Sequence, residues 1–164
     1  MSVALSVFTV ILVAITMALS LAHALEWPGK MRLDREEYLV VQPIYYPGFT
    51  IGGFAEVGGI IATLVLLLVT PIGTTQFWLI AMALASLIVM HLIFWLMTQP
   101  VNKFWLKDEK LGAATQRFFG TGHAADGAPQ RDWTELRDQW ERSHLLRAVA
   151  AMLGLILLVT AVAL

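Results

Sequence analysis

Seven ionisable side chains stand in or beside long apolar runs of this sequence: His23, Glu26, Glu56, His91, Glu141, His144 and Arg147. An ionisable group placed inside a membrane costs about 2.5–3.5 kcal/mol even on a lenient scale, so each is a candidate for function. Imidazoles and carboxylates together can ligate Zn, Fe or Cu. They can also take and give protons. Spacing sorts them into groups. His23 and Glu26 are three residues apart and share a helix face, as do Glu141, His144 and Arg147. Glu141-Arg142-Ser143-His144 has the Glu-x-x-His spacing of di-metal carboxylate bundles, and His23-Ala24-Leu25-Glu26 is that spacing reversed. Three readings are open. One is a metal site drawn from His23, Glu26, Glu56, His91, Glu141 and His144, with haem also allowed because a histidine pair suffices. The second is a ligand pocket without metal. The third is a closed structural cluster in which Glu56 meets Arg147 and Glu141 meets Arg137.

The elements that must position these groups follow from composition. Of 164 residues, 58% are hydrophobic and 14% charged, and the mean hydropathy is +0.71. Soluble domains are about half apolar and about a quarter charged, so the solvent for this chain is the lipid bilayer. A net charge of -1 offers no basic face to nucleic acid. The absence of cysteine removes disulfides, thiolate metal sites, iron–sulfur clusters and cysteine nucleophiles. Runs 1–25, 49–70, 75–98 and 144–164 are long and apolar enough to span, at about 20 residues each. They lack the alternation of barrel strands. The fold class is therefore all-α, a four-transmembrane-helix bundle forming a single integral membrane domain over 1–164. Ala22-His23-Ala24 resembles a signal cleavage site, but no Lys or Arg precedes it, so the first run is read as a retained helix.

Thr70-Pro71-Ile72-Gly73-Thr74 makes a tight turn, so the second and third spans are antiparallel neighbours. Loops 26–48 and 99–143 then lie on one side, and with Arg147 at the mouth of the fourth span they hold all 11 basic residues. The positive-inside rule makes that side cytoplasmic and puts both termini outside. In the first loop Asp34 and Glu37 form a capping box, and Tyr45-Tyr46 suits an aromatic belt. Pro100-Val101-Asn102-Lys103 ends the third span. Phe104, Trp105, Leu111, Phe118 and Phe119 mark a cytoplasmic amphipathic segment on the membrane surface. Gly120–Gln130 reads as a flexible turn that leaves His123 in solvent. Asp132 and Glu135 form a second capping box. The fourth helix runs from there to the C-terminus, about 30 residues or ~45 Å, and so extends beyond the membrane. Along it Trp133, Leu136, Trp140, His144 and Arg147 form one stripe. All seven ionisable groups fall in the loop-side half of the bundle, and the opposite half has none. Gly52, Gly53, Gly58 and Gly59 flank Glu56 and let a neighbouring helix approach it closely.

Three short motifs resemble the anthrone oxygenase-like family of small four-helix membrane proteins. They are Ala22-His23-Ala24-Leu25-Glu26 with Lys30, Pro100-Val101-Asn102-Lys103, and Trp140-Glu141-Arg142-Ser143-His144-Leu145-Leu146-Arg147. The resemblance spans nearly the whole chain and departs from the family in the long first loop, 28–48, and the insert 112–130. It implies a four-helix bundle and, for some members, oxygenation of an anthrone to an anthraquinone. It also implies that Asn102, Lys103, Trp140, His144 and Arg147 are functional positions.

Three functions compete. The first is a membrane oxidoreductase whose hydrophobic aromatic substrate comes from the bilayer. In it His23, His91 and His144 bind a metal or act as bases, and Glu56 and Glu141 serve as ligands or proton acceptors. Arg147 and Lys103 hold an oxyanion, and Trp27, Trp95 and Trp140 wall the pocket. The second is a non-catalytic subunit or scaffold that docks a membrane protein partner or a second copy. The third, a transporter, ranks last because the outer half offers no polar pathway.

Overall fold

The computed structural model describes residues 2–45, 48–105 and 132–164, apart from the side chains at 43 and 103–105. Its elements are helices and turns. They are α1 (Val3–Lys30), α2 (Arg35–Val41), a 3-10 turn (Gln42–Tyr45), α3 (Gly48–Leu68), α4 (Thr75–Ile93), a π-helical stretch (Phe94–Thr98), α5 (Gln99–Trp105) and α6 (Trp133–Ala163). Among the described residues, four helical stretches are long and apolar enough to cross a membrane: Val3–Lys30, Gly48–Leu68, Thr75–Asn102 and Trp133–Ala163. α3 packs on α1 and α4, and α6 packs on α4 and α1. The four therefore close into a ring, an all-helical bundle of the expected kind.

The halves of the bundle differ. Away from the loops, Val13, Leu66, Ile80, Leu87 and Leu158 pack into a dry apolar core with Ala83 and Ala161. Small residues bring the backbones together there. Gly59 lies against Val13, and Gly154 lies 3.3 Å from Leu87, measured from the position a Cβ would take. The tight turn between α3 and α4 is as expected. Gly73 holds a φ of 87°, a conformation cheap only for glycine, and the Thr74 hydroxyl caps α4 by accepting from the Phe77 amide.

Helix ends depart from the sequence reading. α1 continues past Leu25 and through Pro28 to Lys30. Pro28 forgoes the hydrogen bond its N–H would have made to the carbonyl four residues back, and the last turn is held by ion pairs described below. The third span does not stop at Pro100. A proline inside a helix loses one hydrogen bond and crowds the carbonyl four residues back. Here the turn before it widens, and the Gln99 N–H bonds the Phe94 carbonyl five residues back, so the helix passes on into α5. The Asp34–Glu37 capping box forms in full, at 2.9 and 3.1 Å. At α6, Asp132 caps through the Thr134 amide and hydroxyl in place of the expected reciprocal bond with Glu135. α6 holds 31 residues, and at 1.5 Å each its ~46 Å exceeds the ~30 Å hydrocarbon core. Tyr45 is buried at the bundle end instead of standing in an aromatic belt. Tyr46, the side chains of Phe104 and Trp105, residues Leu111, Phe118, Phe119 and His123, and the 120–130 turn lie outside the described residues.

Candidate functional site

The loop-side half holds three linked polar groups. The first joins α3, α4 and α6. Arg147 Nη2 donates to Glu56 Oε2 at 2.6 Å, and His91 Nδ1 lies 2.9 Å from Glu56 Oε1. The Trp95 indole N–H can only donate, and it bonds His91 Nε2 at 2.9 Å. That fixes the His91 tautomer: Nδ1 carries the proton and gives it to Glu56. The pairing of Glu56 with Arg147 that the sequence raised is thus present. Both nitrogens of His91 are committed to protein partners.

The second group is an aromatic box around two histidines. His23 from α1 and His144 from α6 lie ring against ring, with centroids 4.0 Å apart. Trp140 packs on both, while Tyr45 and Phe49 pack on His23. Trp140 is itself pinned, its indole N–H donating to Asn102 Oδ1 at 2.9 Å. Ser143 ties α6 to the π stretch through Thr98 at 2.8 Å. Among the described residues, neither ring nitrogen of His144 has a hydrogen-bond partner, nor has Nδ1 of His23, although all three are buried. Leaving such groups unpaired costs about 1–3 kcal/mol each.

The third group lies toward the loops. Lys30 Nζ stands 3.1 Å from Glu26 Oε2 and 3.7 Å from Glu141 Oε1, above the rings of Tyr45 and Trp140. The Tyr38 hydroxyl donates to Glu141 at 2.8 Å, and the Tyr45 hydroxyl donates to Glu26. Burial, and then the Glu141 carboxylate beside it, push the Tyr38 phenol well above its ordinary value. Glu141 therefore meets Lys30 and Tyr38, while Arg137 pairs with Asp138.

A cavity of about 570 Å³ connects the first two groups. Its wall includes His23, Glu56, His91, Trp95, Asn102, Trp140, His144 and Arg147, together with the aromatic rings of Tyr45, Phe49, Phe54 and Phe94. This volume is within the usual range for a small-molecule site. Most of the residues singled out in the sequence thus share one chamber, and the others do not reach it. Glu26 and Glu141 face Lys30 instead. Trp27 is 41% exposed, and the α1 wall, Thr16, Leu19, Ser20 and His23, ends one turn before it. The Lys103 side chain lies outside the described residues. Sequence reading passes over Tyr38, places Tyr45 in an aromatic belt, and names Lys30 only in the family resemblance. Lys30 otherwise counts as a loop charge, although the Glu26-x-x-x-Lys30 spacing suits an ion pair within one helix.

Among the described residues no three His, Asp or Glu side chains are placed to share an ion. Both nitrogens of His91 are hydrogen-bonded, and the rings of His23 and His144 lie against each other.

Neither a curated protein nor a solved structure matches the chain. A model of the family described as anthrone oxygenase does, over residues 44–157. The match takes in α3 to α6 up to Leu157 and stops short of His23, Glu26 and Lys30, so it is narrower than the motif resemblance. It contains Glu56, His91, Asn102, Trp140, His144 and Arg147, the greater part of the polar wall. On this match the chain belongs to the anthrone oxygenase family.

Proposed function

We propose that this protein is a membrane oxidoreductase that oxygenates an uncharged fused-ring aromatic of the anthrone kind in the cavity. One observation carries the reading. His144 presents a buried imidazole with both nitrogens unpartnered in the wall of an apolar chamber. A base needs a free lone pair within reach of the proton it removes. In an anthrone the methylene opposite the ring carbonyl is the acidic position. His144 takes one of its protons, and the charge passes to the carbonyl oxygen. Arg147 has an Nε with no partner and donates to that oxyanion. Dioxygen oxidises the carbanion. One oxygen atom remains on the ring carbon as a new carbonyl, and the other leaves as water with the two methylene hydrogens. Glu56, His91 and Asn102 are positioning residues, since they hold Arg147 and Trp140. No metal or haem enters this step. By the positive-inside rule the chamber lies toward the cytoplasm and both termini lie outside.

The test is oxygen uptake and quinone absorbance with anthrone, using protein in lipid nanodiscs. Wild type is expected to turn over with one oxygen molecule consumed per quinone formed. His144→Phe is expected to lose about 100-fold or more. Equal turnover by the variant would remove His144 from the chemistry.

The scaffold reading is supported by a different observation, the Lys30, Glu26, Glu141 and Tyr38 network, which ties α1 and α2 to α6 without lining the chamber. Recovery at fixed stoichiometry with a membrane partner, and no turnover, would favour it.

A further inference from the structure

The chamber has an opening, and its position follows from the sequence of residues that line it. A closed cavity touches a helix on one face, every third or fourth residue. Along α3, however, the consecutive residues Phe49 to Phe54 all line the chamber, which a helix allows only where the space reaches around to its outer side. Those outer residues are exposed and apolar: Ile51 is 64% exposed, Phe54 77%, Val57 47%, and across the gap Trp95 45%. In a bundle read as membrane-spanning, that exposure is exposure to lipid. The Glu56–His91 hydrogen bond joins α3 to α4 at the floor of this gap, and the gap lies one turn closer to the loops. The π-helical stretch forms its other edge, with Phe94, Trp95 and Thr98 all on the wall.

Two neighbouring glycines divide the work. At Gly52 a Cβ would collide with Leu19, so this glycine serves the packing of α3 on α1. At Gly53 a Cβ would meet nothing within 4 Å, although the residue lines the chamber. Packing therefore does not require a glycine at 53, and what its missing side chain leaves is open space in the gap.

We propose that the chamber is loaded sideways from the bilayer between α3 and the π-helical stretch. Gly53 is the threshold of this opening and selects flat, uncharged, fused-ring aromatic molecules dissolved in the lipid. The exposed residues at the mouth of the gap, Ile51, Phe54, Val57 and Trp95, carry no charge, so an ionised ligand has nothing there to replace its water. The rings of Phe49, Phe94 and Trp140 inside offer faces for stacking. The proposal rests on the chamber being a ligand site, as in the function above, and adds how the ligand arrives and what limits its size.

The chain has no cysteine, so Gly53→Cys in nanodiscs carries a single thiol. Pyrene maleimide dissolved in the bilayer is expected to label it, and a charged methanethiosulfonate in the water is expected to label it far more slowly. Binding is then read with anthracene, by energy transfer from tryptophan. Gly53→Leu is expected to lose about tenfold or more in apparent affinity while benzene still competes and the melting temperature holds. Equal labelling by the charged reagent, or unchanged anthracene binding in Gly53→Leu, overturns the proposal. Gated anthracene binding without oxygenation of anthrone keeps the threshold and removes the oxygenase reading.

Discussion

Arg147 and Glu56, 91 residues apart in the chain, meet at 2.6 Å inside the bundle, and each is largely withdrawn from solvent. Neither charge could stay where it is without the other. Removing one partner of a buried pair leaves an uncompensated charge and costs about 3–5 kcal/mol, whereas replacing both with apolar groups is often close to neutral. Arg147→Leu alone is therefore expected to destabilise by about 3 kcal/mol or more. Glu56→Leu with Arg147→Leu is expected to recover most of that loss. Thermal unfolding of the two singles and the double in one detergent measures it.

His144 should separate stability from function. Its ring stacks on Trp140 and His23 but neither nitrogen is bonded. Phenylalanine keeps the stacking and removes the unpaired polar atoms. His144→Phe is expected to unfold within about 1 kcal/mol of wild type, or later, while losing oxygen uptake. A large loss of stability would show that the imidazole has a structural partner.

Tyr38 gives a pH signature. Its folded pKa is raised, by burial and then by Glu141, above an unfolded value near 10. A raised pKa adds stability that is complete below the unfolded value and is lost as pH rises past it. The melting temperature is expected to fall more steeply above about pH 10 in wild type than in Tyr38→Phe. At neutral pH that substitution is expected to cost about 1.5–3 kcal/mol, since the lost acceptor is a carboxylate.

Two glycines should respond in opposite ways. Gly154 has Leu87 at 3.3 Å and the Ala83 carbonyl at 3.5 Å from its Cβ position. Gly154→Leu must part α4 from α6 and is expected to cost about 1–3 kcal/mol. Gly53→Ala fills open space and gains about 0.5–1 kcal/mol of helix stability. Melting temperatures of the two variants decide this.

How much of this was legible depends on range. The four spans could be read because about 20 consecutive apolar residues have few other uses. The loop-side location of the polar groups could be read because position along a span gives depth. Partner choice could not. Glu141 and His144 are three residues apart, about 300° around a helix, so they share a face loosely. The remaining ~60° is enough to aim one at Lys30 and the other into the chamber. Which neighbour each meets is set by how α1 packs on α6, and no local spacing records that. Lys30 looked like a loop charge because the apolar run ends at Leu25 and the loop reads as beginning at Glu26. What holds that turn is Glu26 within the helix and Glu141, more than a hundred residues away.

The widened turn at Phe94–Thr98 has a consequence beyond making room for Pro100. It uses one residue more than an α-turn would, and one residue corresponds to roughly 100° of rotation about a helix axis. Everything after it is dialled round by that angle, including Val101, which packs with Leu136 and Trp140, and Asn102, whose carbonyl holds the Trp140 indole. The bulge acts as a phase shifter between two lengths of one helix. The lower length is indexed to the apolar core and the upper length to α6. A deletion of one residue there would leave hydropathy and length nearly untouched and yet turn Asn102 away from Trp140, leaving the chamber's inner wall without its fixed point.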